Sequence, residues 1–162
     1  MRKIAFLIGL LVVALAVTAG AGAANHTTVT ETNHIHGTFA EPEFSVNPCT
    51  GAAITSFLAD GNVVEHETYF LEDGNITEVW ATFTETAKAA VADANGVSYT
   101  GHFTAWGNFN LNERNSNESF TLTFMLAGSD GSTLVGHEVQ HFALNANGDV
   151  TVDFDTFRLS CG

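Results

Sequence analysis

The chain has 162 residues, with five Lys and Arg against 18 Asp and Glu, for a formal net charge of −13. That length allows one ordinary domain. So acidic a balance excludes nonspecific binding to nucleic acid or to an anionic membrane surface, both of which need a positive footprint. An apolar fraction of 45% and thirteen Phe exclude a disordered chain.

The first segment reads as an address. Met1-Arg2-Lys3 is a short basic start, Ile4 to Val17 is an unbroken apolar run, and small residues fill positions 19–24. This is the pattern of a secretory signal peptide over residues 1–23, with Ala21-Gly22-Ala23 as the cleavage site and Ala24 as the new terminus. No Cys lies near the site, so a lipid anchor is not expected. The alternative is an uncleaved membrane anchor, although the apolar core is shorter than the roughly 20 residues a spanning helix prefers. Cleavage removes Arg2 and Lys3 and leaves a net charge of about −15. The expected mature protein is secreted and free of the membrane. Its residues 24–46 form an N-terminal segment with the first strand, and 47–162 form the main body.

Such a terminus would read Ala24-Asn25-His26. A free amine, two deprotonable amides and a third-position imidazole make a square-planar nitrogen site suited to Cu(II) or Ni(II). A little further on, His34-Ile35-His36 places two rings on the same side of a strand, about 6.7 Å apart. A third His or a carboxylate would complete a metal site there; the plainer reading is scattered, hydrogen-bonded histidines.

Export puts Cys49 and Cys161, the only two cysteines, into an oxidising space, where one disulfide is the default. It would tie the start of the main body to its last residues. There is no Cys-x-x-Cys and no free thiol for nucleophilic work.

The body reads as strands. Asp60-Gly61, Asp73-Gly74, Asn95-Gly96, Asp130-Gly131 and Asn147-Gly148 are tight-turn signals. Between them lie Thr-, Val- and Phe-rich runs with period-two alternation, clearest at Phe120, Leu122, Phe124 and Leu126. Phe57–Val63 recurs as Phe70–Ile76, which suits consecutive hairpins. The Asp-Gly-Asn in each copy lacks the spaced carboxylates of a calcium loop. Residues 86–92 either form two helical turns or extend the preceding strand. About eight strands are expected, near 31–40, 52–59, 63–71, 75–85, 97–109, 118–127, 133–144 and 149–159. A sheet of that size must protect its edges, and a single antiparallel barrel with a partly polar interior is the preferred architecture. An immunoglobulin-like sandwich is the alternative.

His137-Glu138-Val139-Gln140-His141 matches the zinc-peptidase pattern letter for letter. On a helix the two imidazoles would stand about 6 Å apart and could share one Zn²⁺. The flanks, Ser132–Gly136 and Phe142–Asn145, are strand-like, and on a strand the same spacing is about 13 Å. The motif is therefore not expected to bind zinc. Glu65-His66-Glu67 offers no acid–base pair, because alternation turns both carboxylates away from the imidazole. The sequons at Asn25, Asn75 and Asn117 are read as chance.

From Asn47 onward the chain resembles a group of small exported bacterial β-rich proteins without an assigned activity. The residues that carry the likeness are Asn47-Pro48-Cys49-Thr50-Gly51, Gly96-Val97-Ser98-Tyr99-Thr100-Gly101, His137–His141, Asn145–Val152 and the terminal Cys161. In that group Gly51 is usually followed by an acidic residue, and Ala52 departs from this. The resemblance implies a secreted, disulfide-linked β domain and carries no activity with it.

Three functions fit. The first is a noncatalytic barrel that binds a small, partly apolar molecule, lined by Tyr99, Phe103, Trp106 and Phe124, with a histidine or two fixing its orientation. The second is an enzyme, a cyclase, isomerase or hydrolase, whose acid–base groups are lumen histidines: His66, His102 or His137. The third is a structural or adhesive surface protein with a filled barrel. No cofactor is implied beyond the terminal copper or nickel site, and no oligomeric state.

Overall fold

The computed structural model describes residues 25–41 and 45–162. The expected signal segment 1–23 and Ala24 lie outside them. The described chain forms seven antiparallel strands in one sheet, in sequence order: β1 (His26–Glu41), β2 (Ile54–Glu72), β3 (Asn75–Asp93), β4 (Ser98–Asn112), β5 (Asn115–Gly128), β6 (Thr133–Asn145) and β7 (Val150–Cys161). No helix among them is long and apolar enough to cross a membrane.

Seven strands stand where eight were expected, because 52–59 and 63–71 are one strand. The Asp60-Gly61 pair is not a turn. Gly61 lies in mid-β2 opposite Ala87, where a Cβ would come within 2.3 Å of the Ala87 methyl. Its glycine serves close approach of β3, not a reversal of the chain. The second copy of the repeat is a hairpin: Asp73 and Gly74 have φ of 50° and 81°, the two positive values a two-residue turn needs. Residues 86–92 take the extended option and continue β3.

The expected closure also differs. No ladder joins β1 to β7 among the described residues, so the sheet is not a hydrogen-bonded barrel, and a single sheet is not a sandwich. The sheet does curl. One apolar core contains Ile54 and Ala59 of β2 and Leu134 of β6, with Leu159 of β7 packed against it. At one end the circuit is completed by other means. The Cys49–Cys161 disulfide ties the lead-in to β2 to the end of β7. Beside it, Thr133 and Gly162 exchange backbone hydrogen bonds of 3.1 and 2.9 Å. Ala94 N–H donates to the Ala53 carbonyl at 2.8 Å. We call this the capped end and the opposite one, marked by Asp73-Gly74, the far end.

Register and alternation sort the side chains into a core face and an outer face. Nearest the cap, the core-face rows are apolar and small: Ala59, Ala89, Gly101, Leu126, Leu134, and next Gly61, Ala87, Phe103, Phe124, Gly136. Small residues on β2, β3 and β4 let the Phe57 and Phe103 rings meet across β3 at 6.2 Å.

Candidate binding site on the core face

The cap is held by one polar hub. Asn47 is fully buried. Its amide donates to Asp93 Oδ2 and to the Tyr99 hydroxyl, each at 2.9 Å, and its Oδ1 accepts the Cys49 N–H. Thr50 Oγ1 donates to the same Asp93 oxygen at 2.6 Å. The other Asp93 oxygen accepts the N–H groups of Asn95 and Val97. These donors, Thr50 foremost, hold the Asp93 carboxyl below its ordinary range. The Asn-Pro-Cys-Thr-Gly segment is thus wholly occupied in building the cap: Asn47 as hub, Cys49 as staple, Thr50 as ligand of Asp93, and Gly51 in a turn at φ 72°.

Moving along the core face from the cap, acidic side chains enter abruptly. The first mixed row holds Val63, Glu85, Ala105, Leu122 and Glu138. Glu85 has an oxygen shut off from solvent with no hydrogen-bond partner, and burial alone pushes its carboxyl up. Burial also raises Glu138, despite the 2.6 Å bond from the Gln140 amide, and Asp155 adds to the rise. The next row holds Glu65, Phe83, Gly107, Phe120 and Gln140. There the Phe83 and Phe120 rings stack at 6.2 Å. Glu65 is raised by burial first and by Glu67 second.

Beyond them stand Glu31, Glu67, Phe109, Glu118 and Phe142. Glu67 is 6% exposed and accepts the Tyr69 hydroxyl at 2.8 Å and the Asn33 amide at 3.3 Å. Burial, reinforced by that bond, pushes the Tyr69 phenol up to about 12. Among the described strand residues no Lys, Arg or His shares this face. Aromatic rings and uncompensated, partly dehydrated carboxylates are what it offers chemically.

The predicted site residues divide between the faces. Tyr99, Phe103 and Phe124 are on the core face but buried in the apolar cluster at the capped end; they fill the floor. Trp106 faces outward and is 45% exposed, so it does not line that interior. His66, His102 and His137 also stand on the outer face, and so do the other four histidines. Each is one residue out of phase with the buried positions of its strand, which sends it away from the interior.

His66 bonds Thr32 Oγ1 at 2.9 Å, and His36 lies 3.6 Å from Asp60. His34 and His36 share a face as expected, but no third ligand joins them, and no metal-competent group of three forms among the described residues. His26 lies 4.0 Å from a Glu72 oxygen. His137–His141 is extended within β6, with Glu138 on the face opposite to both imidazoles.

The carboxylate row was missed by motif searching, yet it has a sequence signal. Glu65, Glu67, Glu85 and Glu138 all occupy the apolar phase of their strands' alternation, as in Phe83-x-Glu85-x-Ala87-x-Ala89. Comparison with known proteins found no matching family model, no similar curated protein and no matching solved structure.

Proposed function

We propose that this is an exported, noncatalytic binding domain whose core face, beyond its packed floor, takes a small, partly apolar molecule bearing a positive charge. The observation that carries the reading is the row of Glu85 and Glu138 beside the stacked Phe83 and Phe120, on a face without a basic residue among the described strands. A carboxylate deprived of water and of a partner is costly, and an ammonium group would relieve it while the rings take the apolar part. The disulfide supports the exported location. The enzyme reading loses the histidines it relied on to the outer face.

Calorimetric titration with phenylethylammonium and its neutral counterpart phenylethanol tests this. The ammonium should bind at least tenfold more tightly, and Glu85→Gln should abolish that preference. Equal affinities, or a preference unchanged in the variant, would refute it.

A further inference from the structure

The outer face carries a second candidate surface, independent of the core-face reading. Trp80 on β3 is 52% exposed and Trp106 on β4 is 45% exposed. Both indoles stand on middle strands of the sheet and leave about half of their surface open to a partner. Trp80 is held in place. Its indole N–H donates to Glu78 Oε1 at 2.7 Å, and its ring meets Phe70 edge-on at 5.1 Å. The same Glu78 oxygen accepts the amides of Asn110 and Asn112 at 3.3 and 3.4 Å. The carboxylate is thus spent on fixing the ring and its neighbours.

In the ladder Trp80 lies opposite Asn110 and Trp106 opposite Thr84. The two indoles are therefore four residues apart along the strands and one strand apart across them, or roughly 14 Å. Between them lie only Thr82, Thr84, Asn108 and Asn110. In a chain with 18 carboxylates, the positions between the indoles offer hydroxyls and amides, and the carboxylate at their edge, Glu78, is engaged by Trp80, Asn110 and Asn112.

We propose that Trp80 and Trp106 form a platform for a neutral β-linked polysaccharide. Pyranose rings have an apolar C–H face that stacks on indole, and equatorial hydroxyls that amides and threonine hydroxyls can meet. Two rings several sugar units apart favour a polymer over a single sugar, through effective concentration. A neutral partner suits hydroxyls and amides bordered by an engaged carboxylate on an acidic protein, where a polyanion would be repelled.

The test is native affinity electrophoresis of the mature protein in gels containing xylan, glucomannan, laminarin or, as a polyanion, alginate. At least one neutral polymer should retard the protein. Trp80→Ala and Trp106→Ala should each weaken that retardation tenfold or more, and Trp80→Phe should retain most of it. Each variant should still unfold in one cooperative transition and bind phenylethylammonium as wild type does, which separates this surface from the core face. The proposal is overturned if no neutral polymer retards the protein, if the Ala variants bind as wild type, or if alginate alone is bound. Sedimentation showing a dimer that the Trp variants dissolve would overturn it too, by assigning the patch to self-association.

Discussion

The capped end and the middle of the core face share strands, register and alternation, and are filled in opposite ways. At the capped end every inward position is small or apolar, and the one buried carboxylate, Asp93, accepts four hydrogen bonds. Toward the far end the same inward positions hold Glu85, Glu138, Glu65 and Glu67. The carboxyl is held down where donors surround it and pushed up where dehydration acts alone. The carboxylate rows lie between the capped-end core and a smaller apolar cluster of Tyr69, Leu71 and Val79 at the far end, and carry an electrostatic cost that folding does not need.

The largest effect expected from this contrast is at the staple. The disulfide closes a sequence separation of 112 residues, so replacing both cysteines by serine should cost roughly 4–5 kcal/mol in the chain-entropy picture. Urea unfolding of the paired variant measures it. A loss below about 1 kcal/mol would mean that the Asn47 hub holds the cap without the bond.

Next in size is truncation at either end. Leu126 is fully buried in the capped-end core and Leu111 is 43% exposed near the far end. Leu126→Ala should cost about 2–5 kcal/mol, and Leu111→Ala less than about 1 kcal/mol. Comparable losses in the two variants would show the far end to be as tightly packed as the cap.

How far this was legible in the sequence follows from what alternation can and cannot say. It correctly made the chain all-β, made residues 133–144 a strand, and so separated His137 from His141. It misled at Asp60-Gly61, because a dipeptide does not reveal whether its glycine serves a positive φ or a close neighbour; only Ala87 across the ladder decides that. It favoured a closed barrel that the sheet's ladders do not form, because the pairing of β1 with β7 is a property of curl and not of pattern. The histidines drew attention as chemically versatile groups, although their phase already pointed them outward. The glutamates were weighed only as partners of those histidines, at Glu65, Glu67 and Glu138, or not at all, at Glu85, although their phase pointed inward.

The smallest stability effect bears most directly on the proposed function. Glu65, Glu85 and Glu138 are held above the ordinary value of 4.5. Their ionisation therefore opposes folding in full above their native pKa, and the opposition fades as pH falls toward 4.5. Asp93 and Asp130 are held below 3.8, so their contribution is present above that value and is lost as pH falls further. Stability should accordingly rise from pH 7 to a maximum between about 4 and 5 and then decline. Glu85→Gln should raise stability at pH 7 by on the order of 1 kcal/mol and flatten the rise. Urea unfolding at pH 7, 5 and 3 reads both; a maximum at neutrality, or a destabilised variant, would contradict the assignment. If the same substitution stabilises the fold and abolishes ammonium preference, the carboxylate is retained for its ligand at the expense of the fold, and the carboxylate rows are the working part of the molecule.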